Sequence, residues 1–255
     1  MEKQMSKNGR IKSIDKALDL LEFISVNEQE TGITEISKNL HLGPSTVHRI
    51  LFTLKSRGYV IQNLNTKKYR LGIKLFTFGC AAQSTKRLVE ITKPYLRQLS
   101  QSTNETANLA ILEGKEVIYL DTIGSPEILR TEIMAGTRIP AHCTALGKVL
   151  LAFISDCEFE NLYKRDEPLS SLTSKSISSL EKLKKNLKKV KKQGYAVDRE
   201  EYKIGINCIG VPIFGRKGDI AAISITGPAS RFTIDEMEKV KGKLMTISKE
   251  ISNQF

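Results

Sequence analysis

Residues 139–152 read IPAHCTALGKVLLA, and several neighbouring positions in that stretch can do chemistry. His142 stands beside Cys143, Thr144 follows, and a compact apolar run opens at Ala145. Three chemistries suit these types. The first is a base and a nucleophile. Adjacency alone does not make that pair, so Asp198 and Cys208 would have to complete a Cys-His-Asp set. The second is a metal site built from His142, Cys143, Asp198 and Cys208, but their spacing matches no diagnostic ligand pattern. The third uses the backbone. Thr144 is a helix-capping type, and the N–H groups of Ala145 and Leu146 then lie at the positive end of a helix without intrahelical acceptors. A small carboxylate fits there. Gly147 lets another element approach closely, while Val149, Leu150 and Leu151 are core types. This reading leaves His142 buried and bonded to backbone and the thiols packed, with no catalytic residue, metal or cofactor.

The whole chain sets the frame for that stretch. Its 255 residues suffice for one large domain or two modest ones. Hydrophobic residues make up 40% and charged residues 27%, the balance of a soluble globular protein. No run of about 18 apolar residues occurs, which argues against a membrane span. The start, MEKQMSKNGR, lacks a signal-peptide core, so the expected location is the cytoplasm. Cys80, Cys143, Cys157 and Cys208 are scattered without a CxxC, so buried free thiols are expected. The net charge of +12 is unevenly placed. Residues 36–85 contain no Asp or Glu but include Lys38, Arg49, Lys55, Arg57, Lys67, Lys68, Arg70 and Lys74, with His41 and His48. Such a stretch suits a phosphate-facing surface.

The elements in that region support this. SIDKALDLLEFI (13–24) predicts a helix capped by Ser13, with Ile14, Ala17, Leu18, Leu21 and Ile24 at helical spacing. GITEISKNL predicts a second helix capped by Thr34, and Pro44 opens a third after the turn HLG. In that third helix Val47, Ile50, Leu51 and Leu54 face a core. Ser45, Thr46, His48, Arg49, Phe52 and Thr53 are left outside. After Gly58, YVIQNLNTKKYRLG predicts a hairpin with a basic tip. Helix, helix, turn, helix and basic hairpin make a winged helix-turn-helix, and the expected partner is double-stranded DNA. Ser45, Thr46, His48 and Arg49 are the base-edge or adjacent phosphate candidates. Lys67 and Lys68 on the wing, with Arg10 or Lys12 in the arm, are phosphate or minor-groove candidates. Phe52 either packs on a neighbouring helix or approaches the DNA backbone.

The rest of the chain mixes helices and strands. A linker helix is expected at 72–84 and an entry helix at 86–102, with Pro94 marking a kink or a new start. TANLAIL and EVIYLDTI predict a hairpin around EGK, and ILRTEIM a further strand. SSLEKLKKNLKKVKKQGYAVD places Leu180, Leu183, Leu187 and Val190 on one face and lysines on the other, which reads as a solvated helix ended by Gly194. NCIGVPIF and IAAISITG predict a second hairpin around GRKGD, and Thr233 caps a closing helix. This half is expected to be α+β, an antiparallel sheet covered by helices.

These motifs together resemble an IclR-family transcriptional regulator over residues 11–252. The likeness rests on SIDKALDLLEFI, ITEISKNLHLGPSTVHRILFTLKSRGYV and YRLGIKLFTFG in the first part. In the second it rests on IPAHCTALGKVLLA, GYAVDREEYKIGINCIGVPIF and AAISITGPASRFT. The resemblance implies a winged helix-turn-helix DNA-binding domain at 1–71 and a linker helix at 72–84. It implies a GAF-like effector-binding and oligomerisation domain with an antiparallel sheet at 85–255, in a homodimer or homotetramer. It also implies sequence-specific binding of operator DNA controlled by a small carboxylate or sugar-acid effector. The effector would be lined by Ala145, Leu146, Asp198, Cys208, Ser224 and Thr226. Leu146 stands where some relatives carry a smaller residue, so effector identity does not transfer. A repressor is the favoured reading. The alternatives are an activator of the same architecture, a nonspecific structural DNA-binding protein, and a carboxylate-acting enzyme using Cys208.

Overall fold

A computed structural model describes residues 10–27, 29–81, 83–164, 168–216 and 218–255. The chain forms two compact units, Met1–Gln83 and Ser84–Phe255. Residues 1–9 of the expected arm, residue 82 of the expected linker and Lys217 at the second hairpin's tip lie outside the described residues. No described helix is long and apolar enough to cross a membrane.

The first unit contains α1 (Lys12–Ser25), α2 (Ile33–Asn39), α3 (Pro44–Ser56), β1 (Val60–Gln62), β2 (Tyr69–Leu71) and α4 (Lys74–Ala81). Leu20, Ile24, Ile36, Val47, Leu51, Leu54, Val60 and Tyr69 form its core. The strands pair antiparallel, with Val60 opposite Leu71. Two expected caps shift. Ile11 and Gly32 occupy the cap positions, so Ser13 and Thr34 lie inside the first turns. The expected apolar face of α1 is also corrected. Burial falls on Leu20 and Ile24, whereas Ile14 and Leu18 are 52% and 51% exposed. Those two line an open groove with Ile50 and Phe52 instead of entering the core.

The second unit begins with α5 (Gln83–Thr103), which runs through Pro94 as one helix. Then come β3 (Thr106–Glu113), β4 (Glu116–Ile123), β5 (Arg138–Pro140) and a 3-10 turn (Ala141–Cys143). α6 (Ala145–Phe153), α7 (Asp156–Leu162) and α8 (Leu180–Gln193) follow. β6 (Ala196–Arg199), β7 (Ile206–Phe214), β8 (Ile220–Pro228) and α9 (Ile234–Ser252) close the chain. The strands form one antiparallel sheet in the order β5-β4-β3-β8-β7-β6. Residues 128–134, expected as a strand, are irregular, and Arg138–Pro140 takes the edge position. Ile133 packs against the core beside α6, but Ile128, Leu129 and Met134 are all exposed, so the segment has no continuous apolar face to lay on a sheet.

Strand alternation sorts the sheet into two faces. Leu109, Ile209, Val211, Ile223 and Ile225 pack with Leu96 and Leu99 of α5 and Leu244 and Ile247 of α9. On the other face Ala110, Tyr119 and Ala222 pack with Leu146, Val149 and Leu150 of α6 and Leu183, Leu187 and Val190 of α8. Helix α8 is capped by Ser179, which accepts from the Lys182 N–H, and ends at Gly194 in the left-handed region. Its lysines face solvent, as the sequence implied.

Helix α6 is buried from Ala145 to Ala152. Thr144 caps it by accepting from the Gly147 N–H at 2.9 Å. The close approach expected at Gly147 comes from the helix's own lead-in. A Cβ on Gly147 would stand 2.1 Å from the Ala141 carbonyl oxygen and 2.3 Å from its Cα. Backbone cannot swing aside as a side chain can, so Gly147→Ala should destabilise the second unit by about 1–3 kcal/mol. Urea unfolding followed by circular dichroism measures this, and an unchanged midpoint would refute the contact.

Candidate functional site

In the first unit α3 carries the residues expected to meet DNA. Pro44 starts the helix at its first position, and Val47, Leu51 and Leu54 anchor it in the core. Ser45, His48 and Arg49 are exposed and Thr46 is half-buried. Phe52 is also exposed at 67%, so no neighbouring helix covers it. Lys55 donates to Gln62 Oε1 at 2.8 Å and so ties α3 to the hairpin. At the hairpin tip Asn63 Oδ1 accepts from the N–H of Asn65 at 3.0 Å and of Thr66 at 3.3 Å. Lys67 then adopts φ 59°, and both Lys67 and Lys68 are exposed.

One acidic group joins this basic surface from outside the acid-free stretch. Glu30 accepts from Asn63 Nδ2 at 2.9 Å and from Thr66 Oγ1 at 2.8 Å. These two bonds, then the charges of Arg70 and Lys68, hold its carboxyl below the ordinary carboxylate value. Glu30 braces the wing from a loop 33 residues earlier, which sequence counting within 36–85 does not see. Arg10 bonds Asp15 Oδ1 through Nε at 3.1 Å and Nη2 at 2.9 Å. Both partners are solvated, so the pair contributes little to stability.

In the second unit four of the six expected effector residues share one face of the sheet, and Ala145 and Leu146 of α6 pack against it. Asp198, Cys208, Thr226 and Thr106 lie opposite one another across β6, β7, β8 and β3. Gly210, Ser224, Asn108 and Thr122 form the next row on that face. The two rows are about 7 Å apart along the strands. Helix α6 starts against Gly210, where an added Cβ would meet Leu146 N and the Ala145 carbonyl carbon at 3.2 Å. Ala145 and Leu146 thus reach the sheet beside the polar row.

Hydrogen bonds join the rows. Asn108 Nδ2 donates to Ser224 Oγ at 3.2 Å and Thr226 Oγ1 at 3.1 Å. Thr122 Oγ1 donates to Asn108 Oδ1 at 3.2 Å, and Thr226 Oγ1 donates to Cys208 Sγ at 3.1 Å. Asn108 was not singled out from sequence. Its register opposite Ser224 is the signal that would have found it.

The charges at this face are the other omission. Asp198 is buried, and its Oδ1 accepts from the Glu201 N–H at 2.7 Å. Burial pushes its carboxyl up to about 7, against the opposing pull of Lys148. Lys148 of α6 is 1% exposed and donates to the Val197 carbonyl at 2.6 Å and to Glu201 Oε1 at 2.5 Å. Tyr119, buried on β4, has its hydroxyl pushed well above the ordinary value by burial, then by Cys208, Asp198 and Tyr202. A segment between α7 and α8 lies over these groups. His142 Nε2 bonds the Ser170 carbonyl at 2.9 Å, and Thr173 Oγ1 donates to the Glu200 carbonyl at 2.8 Å.

His142 is bonded to backbone, and Cys143 and Cys208 are packed in the interior. Burial pushes Cys143 up to about 11 and Cys208 up to about 12. Both are thiols at neutral pH, and a thiol is a poor nucleophile. Among the described residues no group of three or more His, Cys, Asp or Glu is placed to hold a metal ion. Cys157 is exposed, contrary to the buried thiol expected there. The side chain of Cys80 lies outside the described residues.

Comparison with known proteins gives matches over both units. Residues 13–64 match the model of the IclR helix-turn-helix domain, and residues 80–253 match that of the bacterial transcriptional regulator IclR C-terminal domain. The HTH-type transcriptional regulator BhcR of Paracoccus denitrificans is 35% identical over 246 residues, 96% of this chain and 88% of BhcR. The transcriptional repressor IclR of Escherichia coli is 31% identical over 247 residues, 96% of this chain and 90% of the repressor. The crystal structure of Thermotoga maritima IclR superposes with TM-score 0.73 at 31% identity, covering 96% of this chain and 99% of that one. An IclR homologue from Microbacterium hydrocarbonoxydans, solved with 4-hydroxybenzoate, shares the fold at TM-score 0.83 and 22% identity, covering 94% and 98%.

The raised Asp198 carboxyl makes stability depend on pH. Its folded-state value of about 7 exceeds the ordinary 3.8, so the folded chain holds a proton that the unfolded chain releases. The stabilisation is full below about pH 4 and is lost as pH rises through 7, by on the order of 4 kcal/mol. Asp198→Asn should remove this slope, so that the variant gains on the wild type between pH 5 and 8. Urea midpoints across that range measure it; parallel curves for the two proteins would contradict the assignment.

Proposed function

The chain belongs to the IclR family of bacterial transcriptional regulators, and from that premise we propose that it is a repressor released or tightened by a small carboxylate or sugar acid. The observation that carries the reading is the convergence of Ala145, Leu146, Asp198, Cys208, Ser224 and Thr226 on one buried face around the start of α6. The Ala145 and Leu146 N–H groups have no carbonyl one turn back, so they and the helix dipole take the carboxylate. Ser224, Thr226 and Asp198 take hydroxyl or carbonyl groups of the same ligand. The relative solved with 4-hydroxybenzoate supports the acid class, and the E. coli relative's name supports repression. Expression in the cytoplasm, where the operator is, follows from this role.

The first unit reads the operator. Arg49 and His48, with Ser45 and Thr46, enter the major groove, while Lys67, Lys68 and Arg10 hold phosphates. A homodimer or homotetramer presents paired recognition helices to a palindromic site. Acid binding favours one arrangement of the assembly, and α4 followed by α5 is the covalent route by which that preference reaches the DNA-binding units.

Fluorescence anisotropy with promoter fragments tests the reading. Specific, salt-sensitive binding that a carboxylate changes is the expected result, and equal affinity for random DNA would overturn it. Arg49→Ala should weaken specific binding by about 1–3 kcal/mol and relax sequence preference. An unchanged preference would move Arg49 to a phosphate. Asp198→Ala should blunt the response to acids while sparing operator affinity; loss of both would assign Asp198 to folding. A reporter assay with the gene deleted gives the sign, and a rise in promoter output is expected of a repressor.

A further inference from the structure

Lys148 sits where a lysine is costly. Every residue of α6 from Ala145 to Ala152 is buried, and Lys148 is the charged member of an otherwise apolar and small-residue set. Replacing a buried ion pair by apolar side chains of similar size is often neutral or stabilising, so stability alone does not account for this lysine. Its contacts show what it does. The ammonium donates to the Val197 carbonyl and to Glu201 Oε1, on either side of Asp198 in the chain. Glu201 in turn donates its N–H to Asp198 Oδ1 at 2.7 Å. Glu201 Oε2 is buried with no hydrogen-bond partner, an acceptor left beside that carboxyl.

We propose that Lys148 and Glu201 are positioning residues of the acid site, pinning Asp198 one sheet row beyond the start of α6 and so selecting a short acid that bears a second polar group. The inference rests on the functional reading above and names what sets ligand length and charge at that site. The carboxylate lies on the Ala145 and Leu146 N–H groups. The second group spans the row spacing, about 7 Å, to reach Asp198 and the free Glu201 oxygen. Lys148 does not neutralise the ligand itself, because Glu201 already engages it. A bound anion therefore favours protonated Asp198, which donates to the ligand. The groups around Asp198 are Lys148 from α6, Glu201 and Tyr202 after β6, Cys208 from β7, Tyr119 from β4 and Cys143 from the 3-10 turn. Lys148 and the backbone N–H groups of Glu201 and Tyr202 favour the ionised carboxyl, while burial and the Glu201 charge oppose it.

The test uses the full chain with D-gluconate and 4-hydroxybenzoate as probes whose second polar group can span the rows, and pyruvate as one too short to span them, which should bind more weakly. Thermal shift and release or retention of promoter DNA are followed from pH 6 to 8.5. K148M/E201M should melt within a few degrees of the wild type and bind the promoter normally, yet need roughly tenfold more acid or worse. Its acid affinity should fall off at higher pH than in the wild type, because losing Lys148, the larger influence on Asp198, outweighs losing the opposing Glu201 charge. Glu201→Gln should shift that fall to lower pH, because Lys148 is left unopposed. Opposite shifts in the two variants are not expected of a purely structural pair. Wild-type acid affinity and an unmoved pH profile in both would overturn the proposal. Should K148M/E201M fail to fold, the profile of Glu201→Gln decides alone. Wild-type protein that responds to none of the probes, in either readout, would overturn the acid-sensing reading and this inference with it.

Discussion

The second unit depends on how closely the start of α6 is held to its surroundings. On one side Gly147 rides on the Ala141 backbone, with no room for a side chain. On the other, Gly210 of β7 lets the Ala145–Leu146 peptide rest on the sheet. Two missing side chains, on different elements, therefore allow a helix N-terminus to touch a sheet face. Unsatisfied N–H groups in a dry place are costly unless something binds them. The Thr144 side chain caps the Gly147 N–H, and the two preceding N–H groups are where the proposed carboxylate binds.

The polar residues around that point are consistent with it. A sheet face covered by helices ordinarily carries apolar side chains, as the α5 and α9 side of this one does. The face under α6 instead carries Asp198, Cys208, Thr226, Thr106, Ser224 and Asn108 in facing rows. Asn108 bonds both Ser224 and Thr226, so these hydroxyls are oriented before any ligand arrives. Burial opposes the ionised form of Asp198. Its neighbourhood is set by Lys148 and Glu201, which come from different elements and meet only in the folded chain.

Much of this was legible in the sequence because it was local. The cap at Thr144, the stripe Leu183, Leu187 and Val190, the glycine stop at Gly194 and the β7–β8 hairpin each follow from a few neighbouring residues. So does the exposed row on α3. The failures were of a different kind. Ile14 and Leu18 have helical spacing and yet remain exposed, because periodicity reports an apolar stripe and not what covers it. Residues 128–134 have strand-like composition but no partner strand. Lys148 was hidden inside an apolar run, since only the tertiary fold brings Glu201 and the Val197 carbonyl to it. Glu30 escaped notice for the same reason, reaching the wing from outside the acid-free stretch. The six candidate effector residues rest on likeness to a family; the structure adds the common face and register of Asp198, Cys208, Ser224 and Thr226, with Ala145 and Leu146 against it.

The proposed site holds a carboxylate on the backbone at the start of α6. Backbone amide resonances of the full chain, followed by NMR as an acid is titrated, report on it directly. The expected result is saturable shifts that are largest at Ala145 and Leu146, with smaller ones at Glu201 and along β8. Saturable shifts centred elsewhere, with the Ala145 and Leu146 amides unmoved, would contradict it.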